Sequence, residues 1–172
     1  MVSAAISARG KIGLFFISHR VDAEAYKSLL HEDLLPACRR VYPNGFVFQQ
    51  DGAPAHTART TLELLDTEAP GYMKPDEWPA SSPDLAPCDY RLWHWLNTRV
   101  YQDGNPRSEA DLKQKIRAAW NQLPDSLVTS WIHEFIPRVR AVVANEGRQI
   151  QQFFNNMLKS EKRPVAKREF CK

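Results

Sequence analysis

Cysteine is scarce: Cys38, Cys88 and Cys171 form an odd, scattered set with no CxxC pair. That excludes a readable disulfide framework or zinc knuckle, and a reducing compartment is the simplest home. No apolar run approaches the ~18 residues a membrane helix needs, and the N-terminus lacks a charged region followed by an apolar stretch and a small-residue cleavage site. The expectation is a soluble, non-secreted protein with no membrane partner. Several enzyme signatures are also missing: no GxSxG elbow, GxxxxGK loop or GxGxxG follows a strand. His31-Glu32 and His133-Glu134 begin like a zinc-protease helix, but Leu35 and Pro137 stand where the second histidine is required. Both histidines read as ordinary surface residues.

What is present suffices for one folded domain: 172 residues, 43% hydrophobic and 10% aromatic. Charge is nearly balanced except at the end, where Lys159, Lys162, Arg163, Lys167, Arg168 and Lys172 face only Glu161 and Glu169. The expected division is a folded domain over 1–155 and a basic, flexible tail over 156–172. Such a tail is either a solvated end or a phosphate-binding arm and nuclear address.

The chain opens as a hairpin, with Val2 to Ala8 and Ile12 to Ser18 joined by Arg9-Gly10-Lys11. Ala25, Leu29 and Leu30 predict a helix from about Asp22 to Pro36 or slightly past it. Phe46 to Gln50 reads as a short strand delivering Asp51 at its C-terminal end, where ligands gather in α/β sheets. Thr57 is placed to cap a helix carrying Leu62, Leu64 and Leu65 that ends before Pro70-Gly71. Tyr72 and Met73 are extended. Pro75, Pro79, Pro83 and Pro87 then forbid regular structure and predict a stiff, ordered loop. Asp89 opens a helix with Leu92, Trp93, Leu96 and Val100 on one face. The last third reads as helical: one helix capped at Ser108, one through Leu127 to Phe135, and one started by Pro137 that carries Val139, Val142 and Val143 toward Gly147. Strands first and helices last give an α/β sheet with helical elaboration.

Asp51-Gly52 is by itself a common turn dipeptide, and Asp84 and Asp89 read equally well as loop and cap residues. The alternative is a site of two carboxylates, with 37 residues between them, brought together by tertiary folding. The surrounding motifs favour the site. Phe48-x-x-Asp51-x-Ala53-Pro54-x-His56, followed by Ser82-Pro83-Asp84-Leu85-Ala86-Pro87-x-Asp89-Tyr90 and a helix with leucine and tryptophan, resembles the catalytic domain of mariner-type transposases. These belong to the DDE/D transposases and integrases with a ribonuclease H-like fold. The resemblance runs from about Ala4 to Phe154 and includes Ile6 to Lys11 in the hairpin and Arg138 to Val142 with Gly147 near the end.

The resemblance implies a ribonuclease H-like mixed sheet flanked by helices with a helical C-terminal part, and assigns Asp51 and Asp89 as the second and third metal-binding acids of an Asp-37-Asp branch. His56 supports Asp51 or contacts DNA, while Asp84 is structural. Gly52 departs from the asparagine usual after the second acid. It further implies Mg2+ (or Mn2+), DNA as partner, a homodimer, a nuclear location, and metal-dependent cleavage and strand transfer in DNA transposition. Two divalent ions ~3.5–4 Å apart stabilise the charge on the attacking and leaving oxygens of a phosphodiester, and hard carboxylate oxygens suit them.

The family's first acid lies on the first, central strand upstream of the hairpin, and no residue here aligns to it. Asp22 and Asp33 fall in or beside the helix after the hairpin, out of reach of the metals. The expectation is therefore an N-terminally truncated domain that binds metal weakly and is inactive or nearly so. The alternative is a non-catalytic nucleic-acid or protein-binding module using the tail residues Lys159, Lys162, Arg163, Lys167 and Arg168. The missing strand leaves two arrangements open: residues 2–8 pair directly with 46–50, or the sheet exposes unpaired edges.

Overall fold

The computed structural model describes residues 1–17, 22–150 and 154. The basic tail and its five candidate nucleic-acid residues, together with the domain boundary after 155, lie outside the described residues.

β1 (Val2–Ser7) and β2 (Gly10–Phe16) form the expected antiparallel hairpin. The register slips between Ala5 and Ile6, whose partners are Gly13 and Lys11, so Ile12 is a bulge residue. Alternation sends Ala4 and Ile6 to one side of the ribbon and Ala5 to the other. Each side meets its own core. One cluster joins Leu92, Leu96, Ala119, Trp120, Leu123, Val128 and Trp131, with Ala4, Ile6 and Leu14 packed against it. The other joins Tyr26, Leu29, Leu30, Leu34, Leu35, Cys38 and Leu65, with Ala5, Ile12, Phe15 and Phe48 against it. The hairpin is thus the middle layer between two helical layers.

α1 (Ala23–Leu29) starts where Asp22 Oδ1 accepts from the Ala25 N–H at 2.9 Å. It does not stop near Pro36. A π-helical turn over Leu30–Leu34 leads into α2 (Leu35–Val41), with Pro36 in the first turn of α2. The Leu35 N–H bonds to the Leu30 carbonyl, one residue further back than in an α-helix, so the ladder is already offset where proline withholds its donor.

The segment 46–50 is not a full strand. Only Phe48 pairs, in a parallel bridge with Tyr72: its N–H reaches the Gly71 carbonyl and its own carbonyl accepts from Met73, both at 2.8 Å. Val47 is 73% exposed. A lone ladder on one edge does not sustain a longer strand. Among the described residues β1 pairs only with β2, so the direct pairing of 2–8 with 46–50 does not occur and the sheet keeps unpaired edges.

Beyond Asp51, α3 (Pro54–Thr57) is a single turn and α4 (Arg59–Glu68) follows after Ala58. Thr57 does not cap α4, because its hydroxyl is turned back to the Ala53 carbonyl at 3.3 Å. The proline-rich stretch is a chain of turns, as expected, with Ser81 held at a positive φ of 53°. A π-helical turn (Cys88–Leu92) then opens α5 (Trp93–Val100). α6 (Glu109–Gln122) is capped by the Ser108 hydroxyl, which accepts from the Asp111 N–H at 3.1 Å. α7 (Asp125–His133) and α8 (Phe135–Ala144) complete the order, with Pro137 in the first turn of α8. The apolar stripe of α8 is less buried than its sequence suggests: Ile136 and Val143 are 53% and 74% exposed, while Arg138 is 1% exposed. Among the described residues no helix is long and apolar enough to cross a membrane.

Candidate functional site

Asp51 is delivered by the Phe48 bridge into a tight bend. Its Oδ1 accepts from the Ala53 N–H at 3.0 Å, which fixes the carboxylate over the start of α3. His56, in α3, brings Nδ1 to 2.7 Å from the same oxygen. That nitrogen is buried and has no aligned hydrogen bond, so the contact is electrostatic rather than a linear N–H···O bond. Tyr26 of α1 lies over the His56 ring with centroids 4.1 Å apart. Its hydroxyl donates to Gln50 Oε1 at 2.8 Å, and Gln50 Nε2 donates to the His56 carbonyl at 3.0 Å. Tyr26, Gln50 and His56 therefore lock together behind Asp51.

Asp89 arrives on a different support, at the start of the π-helical turn, where its N–H bonds to the Ala86 carbonyl at 2.9 Å. Burial holds its carboxyl above the usual aspartate range; the negative charge of Asp51 adds to this and a hydrogen bond from Trp93 opposes it. The neighbouring Cys88 thiol is pushed up to about 12 by burial and then by the charges of Asp89 and Asp51. Burial also raises the Tyr26 phenol, with Asp51 contributing. Asp89 thus feels the charge of Asp51. Both line one cavity of about 470 Å³ between the Asp51 bend and the proline-rich loop.

Two like charges facing a shared cavity fit a divalent cation, which would relieve their repulsion through hard oxygen ligands. Among the described residues no group of three or more His, Cys, Asp or Glu could hold an ion. Asp22 is occupied as a helix cap, and neither it nor Asp33 lines the cavity.

Asp84 does not line this cavity. Its Oδ2 accepts from the buried Ile150 N–H at 2.9 Å, and its carbonyl accepts from Arg138 Nη1 at 3.0 Å. Gly52 lines the cavity, and a Cβ built there would meet nothing within 4 Å, so packing does not demand glycine in place of asparagine. His31 lies away from the cavity, with Nδ1 2.6 Å from Glu68 Oε1. Sequence reasoning did not single out Tyr26, Gln50 or Trp78, which also lines the cavity. Trp78 carried a signal in its place at the head of the Trp-Pro-x-x-Ser-Pro-Asp run; Tyr26 carried none beyond its helical spacing.

No protein-family model matches the chain. It is 30% identical over 151 residues to the transposable element Tc3 transposase of Caenorhabditis elegans, covering 87% of this chain and 45% of that protein. It is 30% identical over 108 residues to the mariner Mos1 transposase of Drosophila mauritiana, covering 61% of this chain and 29% of that protein. Its fold matches the crystal structure of the Mos1 catalytic domain with a TM-score of 0.76 at 25% identity, over 87% of this chain and 74% of that one. The ribonuclease H-like assignment holds on that similarity. Mos1 structures include a catalytic domain with raltegravir and Mn and a paired-end complex with the left transposon end, the latter matching at a TM-score of 0.72 and 27% identity over 86% of this chain and 43% of that one. The chain spans less than half the length of the curated relatives it matches.

Proposed function

This chain belongs to the mariner-type transposases, and from that premise we propose that Asp51 and Asp89 are the metal-binding carboxylates of a site for cutting and joining DNA strands. The observation that carries the proposal is the convergence of two aspartates, with 37 residues between them, on one cavity where the charge of Asp51 helps hold the Asp89 carboxyl above its ordinary range. Mg2+ or Mn2+ would be held by these two carboxylates, and such ions stabilise the negative charge that develops on phosphodiester oxygens. Structures of Mos1 with Mn and with Mg support that choice of cofactor, and the paired-end complex supports DNA as partner. A nuclear location is part of the same reading, supported by relatives from Caenorhabditis elegans and Drosophila mauritiana that are transposases.

The chain's own residues contribute orientation. Ala53 and His56 fix Asp51, Tyr26 and Gln50 fix His56, and Trp93 holds Asp89. With two carboxylates and no third among the described residues, metal affinity is weak and strand cutting is slow or absent in this chain taken alone. A nicking assay on supercoiled DNA with Mg2+ or Mn2+ tests this. The expected result is little or no conversion to open circles, whereas robust nicking abolished by Asp51→Asn or Asp89→Asn overturns the inactivity and leaves the site assignment standing.

A further inference from the structure

The cavity that holds the two carboxylates has a second, chemically different wall. Trp78, Pro75, Pro79 and Met73 line it opposite in character to Asp51 and Asp89. The turn before Trp78 is closed twice, by the Glu77 N–H to the Lys74 carbonyl at 3.0 Å and the Lys74 N–H to Glu77 Oε2 at 2.9 Å. Phe135 of α8 lies beside the indole, with planes 8° apart and centroids 6.3 Å apart, an offset parallel arrangement. The tryptophan is therefore held by a turn and backed by a ring while its surface still lines the cavity.

We propose that this wall is a stacking site for an unpaired base of a DNA strand whose neighbouring phosphate lies beside Asp51 and Asp89, where the divalent cation those carboxylates would hold would offset the repulsion between the anions. The inference rests on the DNA-strand reading of the same site and adds the form of the substrate. A concave cavity of about 470 Å³ lies within the roughly 300–1,000 Å³ typical of small-ligand pockets and admits a single nucleotide rather than a duplex. A base within a duplex has both faces covered by its neighbours, so it reaches an indole only when splayed out. Every base has a π-face, so the site is tolerant of sequence. Lys74, also in the lining, supplies a positive charge for the adjoining backbone.

Fluorescence anisotropy with a labelled single-stranded oligonucleotide and the matching duplex, in Mg2+, tests the proposal on the full chain. Trp78→Ala is expected to weaken single-strand binding about tenfold, as one lost base–aromatic stack implies, and to leave duplex binding unchanged. Trp78→Phe is expected to recover most of the loss. Equal loss for single strand and duplex, or no loss, overturns the stacking site. A 2-aminopurine base in the oligonucleotide gives a readout on the unsubstituted protein: quenching on binding supports stacking, and unchanged emission overturns it. Thermal stabilisation by Mn2+, compared between the parent and Asp89→Asn, reports on the carboxylate site separately. Base stacking without any Mn2+ response would sink the metal-site reading and keep the base site.

Discussion

Arg138 Nη1 donates to the Asp84 carbonyl at 3.0 Å across 54 residues of sequence, from a side chain that is 1% exposed. The same guanidinium pairs with Glu134 at 3.2 Å, and its central carbon lies 3.8 Å from the centre of the Tyr90 ring. Glu134 also takes a two-pronged contact from Arg91, at 2.9 and 2.7 Å. Tyr90 adjoins Asp89 and donates its hydroxyl to the Trp131 carbonyl at 2.7 Å. The loop that presents Asp89 is thus tied to α7 and α8 by a buried charged cluster.

Removing Arg138 takes this donor from the buried Asp84 carbonyl and leaves Glu134 with Arg91 alone. Arg138→Leu should therefore destabilise the fold by about 3 kcal/mol, read as a lower urea midpoint. Arg138→Lys should recover only part of it, because an ammonium cannot reproduce the planar fork that meets Asp84 and Glu134 together. Full recovery by lysine would show that charge alone matters here.

The hairpin turn makes an equally specific demand at Gly10. Its φ is +106°, and a Cβ there would stand 2.5–2.6 Å from Oδ1, Cβ and Cγ of Asp125. Asp125 cannot yield freely, because its Oδ1 accepts from the Lys11 N–H at 2.9 Å. Gly10→Ala combines backbone strain with a clash and should cost about 2–3 kcal/mol, measured by chemical denaturation. Asp125→Ala keeps the Cβ that stands 2.6 Å away, so combining it with Gly10→Ala should not restore the lost stability.

Local rules explain what the sequence made legible. The hairpin turn follows from Arg9-Gly10-Lys11, and Asp22 and Ser108 sit where helix caps belong. The motifs around Asp51 and Asp89 located both acids of one cavity. What was not legible depends on distant partners. The helix runs past Pro36 because a π-helical turn offsets the ladder before it, and residues 46–50 pair at Phe48 alone because neighbours, not propensity, decide strand length. The tie from Arg138 to Asp84 and the packing of Trp78 beside Phe135 join segments more than 50 residues apart, which no local pattern reveals.

Asp89 carries a pH signature whose sign can be worked out. Burial, then the charge of Asp51, hold its carboxyl above the ordinary value, and the hydrogen bond from Trp93 opposes both. A group whose folded pKa exceeds its unfolded one favours the fold while protonated; that contribution is complete below the unfolded value and is lost as pH rises through the folded value. At neutral pH the ionised Asp89 is thus a net cost without metal. Asp89→Asn should raise the melting temperature at neutral pH, and the gap should close as pH falls below the usual aspartate range. Adding Mn2+ should raise the melting temperature of the parent and not of the variant. A variant less stable than the parent at neutral pH without metal would contradict the cost assigned to this charge.

The role proposed for His56 is to act on the site through Asp51 rather than as a ligand in its own right. Its Nδ1 stands 2.7 Å from Asp51 Oδ1, and Tyr26 and Gln50 hold the ring and the backbone carbonyl behind it. Partners of this kind typically change metal affinity by about 10–100-fold when removed. His56→Ala should lower Mn2+ affinity about tenfold in isothermal titration while leaving the site able to bind. Tyr26→Phe removes only the hydroxyl that holds Gln50 and keeps the ring over His56, so its effect should be smaller than that of His56→Ala. If His56→Ala and Asp51→Asn abolish Mn2+ binding equally, His56 is itself a ligand and the orienting role assigned to it is wrong.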